Sequence, residues 1–292
     1  MFAQLAHAIP EQHIVYQGVD LTIRRLDLVH PQISGNKFFK LKYNLQQALA
    51  QGKTQILTFG GAYSNHIAAT AFAAHHFGLT SIGIIRGQEL AQQPLNPTLS
   101  TAAALGMQLH FVSRETYRRK AEAEYLASLS AQFPHAYIVP EGGTNALAIQ
   151  GCREILMPHH QHMDVICCAV GTGGTLTGLI ESSHPQQHIL GFSALKGQFL
   201  TQAVAQLTQH QHWSITDEFC CGGYAKTTPE LLQFMHSFEQ RYAIPLEPIY
   251  TAKMFFGVFR MIERGELTPQ TKILLLHSGG LQGRSEQSSN FV

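Results

Sequence analysis

VICCAVGTGGTLTGLIESS, residues 165–183, holds a strand, a turn and a helix in succession. Val165–Val170 is a short apolar run rich in strand formers, and it ends at a glycine. A helical pattern begins at Thr175 and runs to Ser182. Between them stand Gly171, Thr172, Gly173, Gly174 and Thr175. Glycine lets the backbone approach a ligand closely and adopt positive φ. A helix N-terminus offers unpaired N–H groups and the positive end of a dipole, which suits a dianionic phosphate. Thr172 and Thr175 add hydroxyl donors. Two nucleotide motifs fail here. GxxxxGK[ST] lacks its lysine, and GxGxxG fails because Leu176 stands three residues after Gly173. No acid to hold a ribose lies between Glu181 and Asp217. The turn therefore suits a bare phosphate better than a dinucleotide, and a nucleotide-binding oxidoreductase is disfavoured. A tight turn that binds nothing is the weaker option beside three glycines and two threonines.

The same alternation recurs outward from this segment. Strands are expected at 55–59, 81–85, 108–112, 136–139, 188–192 and 272–277. Helices are expected at 65–76, 98–105, 115–132, 145–157, 199–209, 229–242 and 253–264. Strand and helix alternating this often implies βαβ units, an α/β class with mostly parallel sheets flanked by helices. In such folds ligands bind beyond the carboxyl ends of the strands. Two further strands run into glycine-rich turns, FGGAYSN (59–65) and HSGG (277–280).

Composition narrows the field. Hydrophobic residues are 45% of 292, enough for a packed core, and the formal charge is +1. That balance gives no global attraction for nucleic acid. No apolar run reaches the roughly 18 residues of a membrane span. The start, MFAQLAHAIPEQH, lacks a signal peptide's basic and apolar regions, so a cytoplasmic protein is expected. Five cysteines, Cys152, Cys167, Cys168, Cys220 and Cys221, are odd in number and form no CxxC. Seventeen histidines scatter without HExxH spacing. No metal site is expected.

A second segment carries chemistry, SGNKFFKLKY (34–43). An amine beside the rings of Phe38 and Phe39 is desolvated and loses basicity, as a lysine that must attack a carbonyl requires. Three surface lysines on an amphipathic helix are the plainer reading of Lys37, Lys40 and Lys42. A nucleophilic lysine, a phosphate cup and a low-charge interior together point to pyridoxal phosphate.

The stretches LTIRRLDLVHPQISGNKFFKLKYNL and ILTFGGAYSNHIAATAFAAHHFGL resemble the 1-aminocyclopropane-1-carboxylate deaminase and D-cysteine desulfhydrase family. The likeness continues through VPEGGTNALAIQG, AVGTGGTLTGL, GGYAKTTPELL, PIYTAKMFFGVFRMIERGEL and LLLHSGGLQG. It implies a two-domain enzyme of pyridoxal-phosphate fold type II, with the tryptophan synthase β-subunit architecture. The large domain would be residues 1–48 and 146–292, the smaller inserted domain 49–145, and the cofactor would lie in their cleft. Lys37 would bind the cofactor covalently and shuttle protons, and Lys40 would lie near its phosphate. Asn65 would face the ring hydroxyl. Ser64, with the backbone of Asn65 and His66, would receive the substrate carboxylate. Gly171, Thr172, Gly173, Gly174 and Thr175 would cup the phosphate. Tyr224, in Gly-Gly-Tyr-Ala, and Tyr250, in Pro-Ile-Tyr-Thr-Ala-Lys, match two site tyrosines of the family. The partners implied are a small amino-acid substrate and a second copy of the chain in a homodimer, with no nucleic acid or membrane.

The departures bear on the substrate. Ring-opening members of that family carry a glutamate after the second tyrosine, facing the pyridine nitrogen, where this chain has Thr251. Ser278 is a second hydroxyl that can reach the same nitrogen. The turn GTGGTLTG also looks like that of O-acetylserine sulfhydrylases. A hydroxyl partner makes a weaker electron sink than a carboxylate, which suffices for β-elimination. The expected reaction is D-cysteine desulfhydration to pyruvate, sulfide and ammonia. Ring opening of 1-aminocyclopropane-1-carboxylate to 2-oxobutanoate is the nearest alternative. A racemase, a β-replacing synthase and a family member that has lost activity stand behind it.

Overall fold

The computed structural model describes residues 2–284. Along the chain come β1 (Glu11–Tyr16), β2 (Val19–Arg24), α1 (Asn36–Ala50), β3 (Gln55–Gly60), α2 (Asn65–His76), β4 (Thr80–Arg86) and α3 (Pro97–Ala104). Then follow β5 (Met107–Val112), α4 (Arg114–Arg118), α5 (Ala123–Gln132), β6 (Ala136–Ile138), α6 (Ala146–Cys152), β7 (Val165–Val170) and α7 (Gly174–Ser182). The last are β8 (His188–Ser193), α8 (Phe199–Ala205), β9 (Trp213–Thr216), α9 (Pro229–Tyr242), α10 (Thr251–Glu263) and β10 (Ile273–Leu276). The chain divides into two compact units. Of the described residues, one comprises 2–30, Ser34–Asn36 and 152–284; the other comprises Pro31–Ile33 and Lys37–Gly151.

The first unit, called the outer-chain unit here, carries a six-stranded sheet in the order β1-β2-β10-β7-β8-β9. β1 and β2 pair antiparallel and every other pair is parallel. The β1–β2 hairpin turns through Gln17 and Gly18, with φ of 47° and 81°. Positive φ at both central residues matches the twist of the flanking strands. α10 is buried from Thr251 to Phe259, and its Met254, Phe255, Val258 and Phe259 pack into one core with Ile23, Cys167, Leu190 and Leu275. Each large side chain so buried stabilises the fold by about 1.5–3 kcal/mol.

The second, inner-chain unit carries a parallel four-stranded sheet, β5-β4-β3-β6. Successive strand residues point to opposite faces. Ile84 thus joins a core with Leu57, Phe59, Tyr117 and Leu129, while Ile85 joins another with Ile67, Leu99 and Met107. α2 is rich in alanine, and Ala69, Ala71, Ala73 and Ala74 are buried. Side chains this small let a helix pack close against its neighbours.

The parallel strands and flanking helices agree with the α/β class expected. The 115–132 helix is broken: α4 ends at Arg118 and α5 starts at Ala123. The Glu122 N–H turns back to the Arg119 carbonyl, and Lys120 pairs with Glu141. β1, β2 and β9 were not expected. The compact units also divide at residues 36–37 and 151–152 rather than at 48 and 145, because α1 packs with the inner-chain unit. No helix among the described residues is long and apolar enough to cross a membrane.

Candidate active site

In the inner-chain unit the candidate residues gather at the starts of α1 and α2. Lys37 is half-buried in the first turn of α1, followed by the buried rings of Phe38 and Phe39, whose centroids lie 5.6 Å apart. Lys40 is 2% exposed, which overturns the surface reading for it. Its Nζ donates to the Gly142 carbonyl at 2.7 Å and the Thr144 hydroxyl at 3.0 Å, so it ties α1 to the 142–144 turn. Asn44 and Asn145 exchange amide hydrogen bonds alongside.

Ser64 caps α2, its hydroxyl oxygen accepting from the Ile67 N–H at 3.3 Å. The cap leaves the hydroxyl hydrogen committed to no acceptor among the described residues, so it can donate to an anion. Asn65 opens the helix. His66 is fully buried, and its Nε2 meets the Thr58 hydroxyl at 2.8 Å. Thr58 spends its hydrogen on the Val139 carbonyl, so Nε2 carries the imidazole proton. Nδ1 is left a bare acceptor with no partner among the described residues. Burial, reinforced by the charges of Lys37 and Lys40, pushes this imidazole well below its ordinary pKa and keeps it neutral.

In the outer-chain unit the Gly171–Thr175 turn links β7 to α7. Gly173 caps the helix at φ +82°. The first-turn N–H groups beyond it have no intrahelical acceptor. The Thr175 hydroxyl accepts from Asn36 Nδ2 at 2.8 Å, and Asn36 is the residue before Lys37 in the chain. Asn36 is fixed in turn by its N–H bond to the Ser278 carbonyl at 3.2 Å. A Cβ on Gly35 would sit 1.8 Å from that carbonyl oxygen, so only glycine fits before Asn36. His277, which precedes Ser278, is buried and bonded to the Pro245 carbonyl and to Asp27.

Tyr250 lies against the same turn: a Cβ on Gly171 would come 2.9 Å from its Cε1. Tyr224 meets Tyr250 edge to face with centroids 6.2 Å apart. Thr251 is fully buried, and its hydroxyl accepts from the Glu247 N–H at 3.0 Å and donates to the Glu247 carbonyl at 3.3 Å. Both capacities of that hydroxyl are therefore engaged by main chain.

Two residues at this site were not anticipated. Glu247 is buried and caps α10, its carboxylate accepting from the N–H groups of Ile249, Tyr250 and Thr251 at 2.5–2.8 Å. Burial pushes its carboxyl up, and the three N–H donors oppose the shift. Lys253, also buried, donates to the Gly223 carbonyl beside Tyr224 at 2.7 Å. A single cation inside the run TAKMFFGVF was the available signal for Lys253. For Glu247 the signal was an acid a few residues ahead of the helix start.

Glu11, His159 and His160 cluster with ligand atoms within 4.8 Å of one another. His160 Nδ1 accepts the Met157 N–H at 2.9 Å, which puts the ring proton on the Nε2 that faces Glu11. Arg24 donates to the same carboxylate oxygen at 2.8 Å. This is an ion-pair cluster whose tautomer opposes a metal.

The donor set fits pyridoxal phosphate in kind. A helix start with glycines and two threonine hydroxyls can take a phosphate dianion. A half-buried lysine in the first turn of α1 can take an aldehyde. A capped serine and a bare imidazole nitrogen stand at the second helix start.

The family profile for pyridoxal-phosphate dependent enzymes matches residues 17–279. A Thermotoga maritima protein, provisionally named a 1-aminocyclopropane-1-carboxylate deaminase, is 29% identical over 94% of this chain and 93% of its own. The Arabidopsis thaliana mitochondrial bifunctional D-cysteine desulfhydrase/1-aminocyclopropane-1-carboxylate deaminase is 28% identical over 91% of this chain and 73% of its own. A crystal structure described as an ACC deaminase homologue aligns with a TM-score of 0.80 at 27% identity, covering 96% of this chain and 91% of that one.

Proposed function

Because the chain belongs to the family of pyridoxal-phosphate dependent enzymes, we propose that it is a deaminating lyase whose substrate is D-cysteine, converted with water to pyruvate, hydrogen sulfide and ammonia. The observation that carries this choice is at residue 251. A carboxylate there would favour a protonated pyridine and a strong electron sink. Thr251 offers a hydroxyl instead, and that hydroxyl is engaged by Glu247 main chain. The Glu247 carboxylate cannot substitute, since three backbone N–H groups occupy it. Ser278 is left as a neutral partner for the ring nitrogen. A modest sink suffices for loss of an α-proton and departure of a β-thiol, and suits ring opening less well.

Bound pyridoxal phosphate supplies a carbonyl that captures the substrate amine and a ring that takes up negative charge from its α-carbon. The first-turn N–H groups of α7, with the hydroxyls of Thr172 and Thr175, hold the phosphate. Lys37 would hold the cofactor through Nζ, and the same Nζ would take and hold the substrate's α-proton. The Ser64 hydroxyl and the N–H groups that open α2 receive the substrate carboxylate. Asn65 would hold the ring hydroxyl of the cofactor. Tyr224 and Tyr250 hold the leaving thiol and return a proton to it. His66 stays neutral and so adds no charge beside Lys37. The working unit on this reading is a homodimer in a reducing cytoplasm, where the five cysteines remain thiols.

Ring opening of 1-aminocyclopropane-1-carboxylate is the second reading; the name of the Thermotoga relative favours it, while that of the Arabidopsis relative gives both activities. Release of 2-oxo acid from the two substrates separates the readings. Pyruvate from D-cysteine at the higher kcat/KM supports the first. Release of 2-oxobutanoate alone overturns it.

A further inference from the structure

We infer that Lys253 is a positioning residue whose ammonium, bonded to the Gly223 carbonyl, holds Tyr224 against Tyr250 beside the phosphate turn. Lys253 is 1% exposed, set in α10 among Ala252, Met254, Phe255 and Phe256. A buried ammonium is costly unless an anion compensates it. Among the described residues Lys253 has no ion pair, and its hydrogen bond is to the Gly223 carbonyl at 2.7 Å. Burial draws its pKa down, while the Cys221 and Cys220 thiols and Glu247 draw it back. A side chain this expensive, placed on one backbone carbonyl, draws attention to what that carbonyl holds.

The segment it grips is strained. Cys221, Gly222, Gly223 and Ala225 all have positive φ, at 52°, 87°, 117° and 57°. Two of them carry a Cβ, which disfavours this region. Such a backbone persists where its surroundings over-determine it. The local bonds here include the Gly223 N–H to the Cys220 carbonyl at 3.0 Å, the Lys226 N–H to the Gly223 carbonyl at 3.2 Å and the Cys221 thiol to the Phe219 carbonyl at 3.4 Å. Lys253 adds the one charged donor, from a rigid helix, to the carbonyl that precedes Tyr224. Tyr224 then meets Tyr250, and the Tyr250 ring meets Gly171. An unbroken line of contacts within one unit runs from the amine to the phosphate turn. A general packing role would not require a cation aimed at one strained turn.

The inference rests on the proposed role of Tyr224, and the test separates the two. In the holoenzyme, K253M is expected to raise amide exchange at residues 221–226 about tenfold while β7 and the body of α10 stay protected. Cofactor absorbance is retained. K253M and Y224F each lower kcat, and the double variant loses no more than the worse single one, the signature of two residues acting as a unit. G223A guards against a K253M protein that does not fold. Its methyl meets nothing within 4 Å, so it disturbs the turn through φ alone, and it should reproduce the local exchange and the kcat loss. Unchanged protection at 221–226 in K253M or in G223A overturns the latch. Multiplicative losses in the double variant overturn action through Tyr224. A Y224F enzyme as fast as wild type, with exchange raised in K253M, removes the service to catalysis and with it the role proposed for Tyr224, whereas the family assignment survives.

Discussion

Replacing Gly173 by alanine tests the phosphate turn at its tightest point. Gly173 lies at φ +82°, and an added Cβ would stand 2.8 Å from Cγ2 of the fully buried Val204. Holding alanine in the left-handed region costs about 1–2 kcal/mol. Forcing a methyl into that contact costs about 1–3 kcal/mol more. The turn relieves both by rotating, which takes the N–H groups that open α7 off the phosphate, so the strain appears as lost cofactor affinity. At the lower bound of about 2 kcal/mol, the Kd for pyridoxal phosphate rises about 30-fold. The assay is absorbance titration of the apoprotein, with thermal melts as a control for global damage. Trimming the obstacle in G173A/V204A returns the steric share, about fivefold in Kd at the same lower bound, while the φ penalty remains. G173A binding within about threefold of wild type, or a double variant no better than G173A, would refute the reasoning.

Three further outcomes follow from the same geometry. T251V removes a hydroxyl bonded only to Glu247 main chain, so it should lower stability by about 1–2 kcal/mol, read as a lower Tm, and leave the cofactor spectrum alone. S278A should shift the cofactor absorbance and lower kcat about tenfold; the reverse ranking would make Thr251 the ring-nitrogen partner. Burial raises the Glu11 carboxyl, but hydrogen bonds and charge from His159 and His160 outweigh it and bring it down from 4.5 to about 2. A carboxyl depressed in the folded state contributes stability above pH 4.5 that is lost as pH falls towards 2. The Tm difference between wild type and E11Q should therefore be present at neutral pH and close across that window, and a pH-independent difference would contradict it.

The parallel strands and the glycine turn after β7 were legible because β7 is an unmixed apolar run that meets three glycines and a helix start. The β1–β2 hairpin was not. EQHIVY is a half-exposed edge strand with one buried side chain, so its alternation is faint, and its turn signal is a lone Gly18. The break after Arg118 carries no proline or glycine; it arises from tertiary ties, the Lys120–Glu141 ion pair and Lys120 over the Tyr117 ring. Motif spacing singles out candidates such as Lys37, Ser64 and Thr175, which the structure places at helix starts, whereas what each hydroxyl or amine bonds to is not written in spacing. Thr251 stands in sequence where a ring-nitrogen partner is expected, and its hydroxyl is turned to the Glu247 main chain. Lys40 has the spacing of a surface lysine on an amphipathic helix, yet it is buried and bonded to the 142–144 turn. Spacing fixes which residues share a helix start, but the rotamer that commits a hydrogen bond is chosen by the three-dimensional surroundings.

The central claim is that one lysine carries the cofactor. Borohydride reduction of the holoprotein, followed by proteolysis and mass mapping, reads it directly. The account predicts a pyridoxyl group on Lys37 alone, with the visible absorbance lost on reduction and absent from K37A. A label on Lys40, Lys42 or Lys253, or a bleached protein with no labelled lysine, would contradict it.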